Sequence, residues 1–143
     1  MNPNSPEQEF TVKWSVKSFK DSPKIKNHSS IKYGGKFILF GGYDGKNNLN
    51  TIYFFDILKE SWSVKTSTGD IPRERNGHSA SLLGDKMYIV GGWLGTGALA
   101  SDEVFELDLI NFEWKKVLLE GQGIGSLNMH SAEIYNGKII IFR

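Results

Sequence analysis

Three histidines recur with a serine behind each: His28-Ser29, His78-Ser79 and His130-Ser131, 50 and then 52 residues apart. Neutral imidazole is a common metal ligand, so one residue type returning at one position invites the reading of a shared ion. Nucleophilic catalysis has less to stand on, because no Ser-His-Asp grouping is legible in the chain order. The chain has no Cys, which excludes disulfides, thiolate metal sites and cysteine nucleophiles. Two glycine-rich runs, Gly91-Gly92-Trp93-Leu94-Gly95-Thr96-Gly97 and Gly121-Gln122-Gly123-Ile124-Gly125, have the outline of a phosphate cradle. Neither leads into a helical pattern, so no helix N-terminus would face an anion, and no Lys-Ser or Lys-Thr pair follows. The second reads instead as a flexible connection, and no cofactor is expected.

What positions these residues is an internal repeat. Five residues after each His stands Tyr33, Leu83 or Tyr135. Gly34-Gly35-Lys36, Gly84-Asp85-Lys86 and Asn136-Gly137-Lys138 come next. The apolar runs Phe37–Phe40, Met87–Val90 and Ile139–Phe142 follow, the first two ending in Gly41-Gly42 and Gly91-Gly92. Asn50–Asp56 then matches Asp102–Asp108, and each reaches a tryptophan six residues past the Asp, Trp62 and Trp114, with Trp14 opening the series. Each unit reads as four strands. Strand a covers 29–33, 79–83 and 131–135; strand b covers 36–41, 86–91 and 138–142; strand c covers 51–56 and 103–108; strand d surrounds Trp62 or Trp114. The Gly-Gly, Gly-Asp and Asn-Gly pairs are two-residue hairpin turns, which need positive φ. Strand b is almost wholly apolar, as a strand buried on both faces would be. No window carries a convincing helical period.

Composition agrees with short, turn-separated strands: 13% of the 143 residues are aromatic, with 16 Gly against 4 Pro. The net charge of +1 gives no electrostatic case for nucleic acid. Residues 1–65 hold ten Lys against six acids, and residues 66–143 seven bases against ten acids, an imbalance that reads as solvated surface. No apolar stretch is long enough for a membrane span, and the polar, acidic start lacks the pattern of a secretory signal. A cytosolic or nuclear location is the expectation.

The combined spacing resembles the kelch motif: a strand ending in Gly-Gly, a variable loop, an aromatic strand, then a Trp six residues past an Asp. Ile71-Pro72-Arg73-Glu74-Arg75-Asn76-Gly77-His78-Ser79 is similar to the lead-in of many kelch proteins. The resemblance covers about residues 10–143 and implies an all-β fold, a kelch-type β-propeller segment of four-stranded antiparallel blades in an incomplete ring, with strand a innermost and strand d outermost. It divides the chain into a flexible tail (1–9), a stray strand d (10–17), blade one (28–65), blade two (78–117) and a truncated blade three (130–143). Propellers close with about four to eight blades, so the chain reads as part of a longer protein, whose remaining blades or self-association would cover the exposed faces. Trp62 and Trp114 would wedge between blades. Each His would cap strand a by bonding to a neighbouring blade. Enzymes of related fold use a Tyr–Cys cross-link, impossible here, or a Glu-x-x-x-Asp-x-x-x-His set. Glu74 to His78 has the wrong spacing for the latter, and Leu107 stands where Glu103 would need its Asp.

The resemblance further implies that loops d–a (about 18–28, 66–77 and 119–129) and b–c (about 43–50 and 93–101) share one face. Loops carry function more often than the strands that hold them, and Arg, Tyr and Trp dominate interface energies. Tyr43, Asp44, Lys46, Asn47, Arg73, Arg75, Asn76 and Trp93 are the candidate partner-binding residues. The expected function is a protein–protein interaction module, scaffold or adaptor, with no catalytic or metal residues. A propeller enzyme or small-ligand binder, its site completed by further blades, remains the alternative.

Overall fold

A computed structural model describes residues 10–95, 97 and 99–143; the expected flexible tail at 1–9 lies outside them. Blade one is the antiparallel sheet β1 (Ser29–Tyr33), β2 (Lys36–Phe40), β3 (Ile52–Asp56) and β4 (Ser61–Lys65), in that order. Blade two repeats it with β6 (Ser79–Leu83), β7 (Lys86–Val90), β8 (Val104–Asp108) and β9 (Glu113–Lys116). A short extra strand, β5 (Thr68–Gly69), runs parallel to the outer edge of β9, so the second sheet has five strands rather than four. The remaining strands, β10 (Ser131–Tyr135) and β11 (Lys138–Phe142), form a two-stranded hairpin. The innermost strands β1, β6 and β10 lie side by side. The described residues form an all-β arc, not a closed ring.

Local chemistry explains the repeat. Asp56 Oδ1 accepts from the backbone N–H of Leu58 (3.1 Å) and Lys59 (2.9 Å), and Asp108 Oδ1 likewise from Ile110 (2.8 Å) and Asn111 (2.9 Å). These side-chain-to-backbone bonds close an Asx-type turn. The next residue takes positive φ, Glu60 at 49° and Phe112 at 55°, and re-aims the chain into the outer strand. The Asp therefore fixes where the following Trp emerges, which accounts for the constant six-residue spacing.

The main core fills the seam between the blades. Ile31, Ile38, Phe40 and Ile52 from blade one meet Met87, Ile89, Phe105, Leu107 and Trp114 from blade two. A smaller cluster, Val90, Val104 and Leu127 with Ile124 and Ile141 against it, joins blade two to the hairpin. Burial on both faces therefore holds for β7, which has a neighbour on each side. In β2 it holds for Ile38, Leu39 and Phe40 but not for Phe37, and it fails for β11, where Ile140 and Phe142 are exposed.

The two tryptophans differ for the same reason. Trp114 is 1% exposed, 5.0 Å from the Phe40 ring across the seam, and its Nε1 donates to Ser67 Oγ at 3.1 Å. Trp62 is only half-buried against Phe55 (4.9 Å), on the flank of blade one that faces no other blade here, and its Nε1 finds no acceptor among the described residues. The inter-blade wedge expected of both is formed by Trp114 alone. Residues 10–17 form no strand: Phe10, Val12, Trp14 and Val16 point into solvent, Trp14 at 89% exposure, because no strand c lies beside them to complete a ladder.

Candidate functional site

The connections that lead into strand a and those that follow strand b meet at one end of the arc. Lys26 bridges Tyr43, and at the equivalent place in the next blade Asn76 bridges Trp93. The glycine pairs permit the approach. Gly42 (φ 96°) donates its N–H to Arg75 O at 2.9 Å, and a Cβ there would fall 2.9 Å from Lys26 O. Its counterpart Gly92 donates to Leu127 O at 2.8 Å. Each b–c loop is thus tied to the lead-in of the following blade.

This tie creates an open cleft of about 400 Å³ between the Tyr43–Asn48 loop and Trp93–Gly95, with Glu74 at its rim. Asp44 does not face the cleft as a free carboxylate. Its Oδ1 accepts from the backbone N–H of Lys46 and Asn47, both at 2.7 Å, and these bonds hold its carboxyl below the ordinary aspartate range. Tyr43 Oη donates to Gly45 O at 2.9 Å, and Lys26 Nζ stands 5.5 Å from the centre of the Tyr43 ring. On the far side of Tyr43 a second cleft of about 400 Å³ runs along Pro23–Lys26. Asn48 Nδ2 donates to Trp93 O at 3.3 Å, pinning one loop to the next.

Of the eight residues expected to bind a partner, four line this cleft: Tyr43, Lys46, Asn47 and Trp93. Asp44 borders the second cleft, and Arg73 is exposed on the adjoining lead-in. Arg75 and Asn76 are corrections. Arg75 is 0% exposed, its guanidinium donating to Arg73 O (3.0 Å), Gly91 O (2.8 Å) and Glu103 Oε2 (3.2 Å) while lying 5.0 Å from the Phe105 ring. Asn76 is buried too, donating to Asn48 Oδ1 at 2.7 Å and accepting from Asn27 Nδ2 at 3.4 Å. Arg75 is spent inside blade two and Asn76 on joining blade two to blade one, because the lead-in turns Arg73 and Glu74 outward and the next two residues inward. Sequence reasoning missed Lys24, Lys26, Asn48 and Glu74. The signal was available for Lys26, which occupies the repeat position of Asn76.

His78 and His130 are structural, whereas His28 is exposed. His78 Nε2 lies 2.7 Å from Ser29 Oγ, and His130 Nε2 lies 2.9 Å from Ser79 Oγ, so each His reaches back to the serine of the preceding blade. Burial, then the nearby Arg75 cation, lowers His78 to about 3. A buried imidazole that stays neutral and has no carboxylate behind it is a poor general base. Among the described residues no cluster of three His, Asp or Glu could hold a metal ion. Gly121–Gly125 is irregular chain with no helix after it, so no phosphate cradle forms there. No helix of the described residues is long and apolar enough to cross a membrane.

Stacked four-stranded sheets, inner strands side by side and loops gathered at one end define this protein as a β-propeller arc with a loop-built cleft. Residues 8–143 match the family model described as KLHDC2/KLHL20/DRC7 Kelch-repeats domain. The chain belongs to the kelch-repeat family. It is 31% identical over 116 residues to kelch domain-containing protein 3 of Mus musculus, covering 80% of this chain and 30% of that protein. It is 29% identical over 124 residues to the leucine-zipper-like transcriptional regulator 1 homolog of Drosophila melanogaster, covering 83% and 13%. With host cell factor 2 of Homo sapiens the identity is 31% over 134 residues, covering 80% and 16%. The chain spans less than a third of the length of each of these relatives.

Proposed function

We propose that this chain is a protein-interaction module that receives its partner on the face built by the d–a and b–c loops. The observation that carries the reading is the cleft between Tyr43–Asn48 and Trp93–Gly95, where two aromatic rings and several free polar groups from two blades converge on a rigid frame. Rigid strands presenting varied loops are the usual architecture of a recognition surface. A non-catalytic role is supported by the fate of the repeated Ser–His pairs, which are spent on joining blades. Partners of the whole protein belong to the same proposal, because the chain covers only part of its relatives.

Site-specific photo-crosslinking tests it. A crosslinking residue at Asn47 or Leu94 is expected to capture the same identified partner. One at Lys59, in the c–d turn at the opposite end of blade one, is expected to capture none. Capture of that partner from Lys59 alone would refute the loop-face reading.

A further inference from the structure

We infer that the loop face of blade one docks an acidic peptide segment, with its carboxylates over Lys24, Lys26 and Lys46 and an apolar side chain between Tyr43 and Trp93. This inference rests on the interaction reading above and adds the chemistry of the partner. All three lysines are exposed, and Arg73 is exposed on the next lead-in. None of the four enters an ion pair among the described residues. The three lysines border two adjoining clefts that share Tyr43 as a common wall.

The acids nearby offset only part of this charge. Asp44, held ionised by the N–H groups of its own loop, and Glu74 at the rim stand against four cations, so the balance of the face stays positive. The bias belongs to blade one. At the equivalent lead-in position Lys26 gives way to Asn76, buried and uncharged, and the third d–a loop carries Glu120 with no base between 119 and 129. A partner laid across the face therefore meets positive potential at one end and the Trp93–Leu94 surface at the other. Complementary charge fixes the register of such a segment, and the aromatic ring supplies desolvated contact. The patch is too short and too interrupted by Asp44 and Glu74 to follow a nucleic-acid backbone, which favours a peptide over a polynucleotide.

Fluorescence anisotropy tests the inference on the 143-residue chain. The probe is a short fluorescein-labelled peptide of alternating glutamate and glycine around a central leucine. Binding is expected, weakening as salt is raised. The double variant Lys26→Glu, Lys46→Glu should lower affinity at least about tenfold and gain affinity for the peptide in which lysine replaces each glutamate. Lys59→Glu should leave binding unchanged. Equal affinity of the parent and double variant overturns the inference, as does equal loss on Lys59→Glu. Tighter binding of a labelled oligothymidylate would make the patch a polynucleotide surface and overturn it too. If the acidic probe fails to bind while crosslinks from Asn47 still capture a partner, this inference falls and the interaction module stands.

Discussion

Replacing Trp114 with Ala isolates the bond between blades. Its ring fills the seam against Phe40 at 5.0 Å, it is 1% exposed, and its Nε1 donates to Ser67 Oγ at 3.1 Å. The substitution removes a fully buried indole and opens a cavity that rigid sheets on both sides cannot collapse to fill. A loss of about 3–5 kcal/mol is expected, of which the hydrogen bond carries about 1 kcal/mol. Trp62 provides the internal control. It occupies the same repeat position, but it is half-buried and has one blade beside it instead of two, so Trp62→Ala should cost about 1–2 kcal/mol. Urea denaturation followed by far-UV circular dichroism reads both values without relying on the fluorophore being removed. Ser67→Ala should cost little once Trp114→Phe has removed the donor, because the two substitutions delete one interaction. Equal losses for Trp62 and Trp114, or a loss below about 1 kcal/mol for Trp114→Ala, would refute the wedge.

Gly41→Ala should cost more than Gly34→Ala in the same assay. Both glycines have positive φ, but a Cβ at Gly41 would fall 2.8 Å from Arg75 O, whereas at Gly34 it meets open space, leaving only the backbone strain of about 1 kcal/mol. Acidification should destabilise the fold. His78 is lowered from 6.5 to about 3, so the unfolded chain binds the extra proton between those values; stability is present above 6.5 and is lost as pH falls, by up to about 1.4 kcal/mol per unit. A His78→Asn variant whose stability falls as steeply over that range would remove the His78 explanation. Glu103→Leu should cost about 1–3 kcal/mol by taking the carboxylate from the buried Arg75 cation, which keeps its two carbonyl partners, and Arg75→Met should recover part of that loss, as denaturation midpoints of the single and double variants would show.

The sequence made the strands legible because their punctuation is chemical. Hairpin pairs such as Asn136-Gly137, both at positive φ, set where strands a and b turn, and the Asx turns at Asp56 and Asp108 set where strand d begins. All three expected a strands coincide with β1, β6 and β10, and the b and c strands differ by a residue at one end at most. Strand β5 was not legible. Thr68–Gly69 has no apolar alternation, and it is held by backbone pairing along Phe112–Trp114, so close that a Cβ at Gly69 would fall 2.2 Å from Trp114 O. The unequal burial of Trp62 and Trp114 was equally hidden, since a repeat states what each blade contains and not what stands beside it.

For the binding face the limits were different. Residues that recur between units, such as the serines and histidines of the Ser29–His78 and Ser79–His130 contacts and the double glycine of the first two units, are spent on joining blades, so function has to be sought among positions where the units differ. Difference alone is not enough. Arg75 stands where the next lead-in has Leu127, as the matching bonds from Gly42 and Gly92 establish, and that contrast resembles the mark of a binding residue. It is instead a local solution to packing, since Glu103 sits at the start of strand c in blade two while Thr51 holds the equivalent place in blade one, so only there does a buried cation find its counter-charge. Lys26 and Asn76 differ in the same way, and here the lysine is exposed above a cleft. What separates the two cases is whether the variant side chain is turned toward a carboxylate of its own blade or toward solvent, a property of the lead-in's path that spacing alone does not encode.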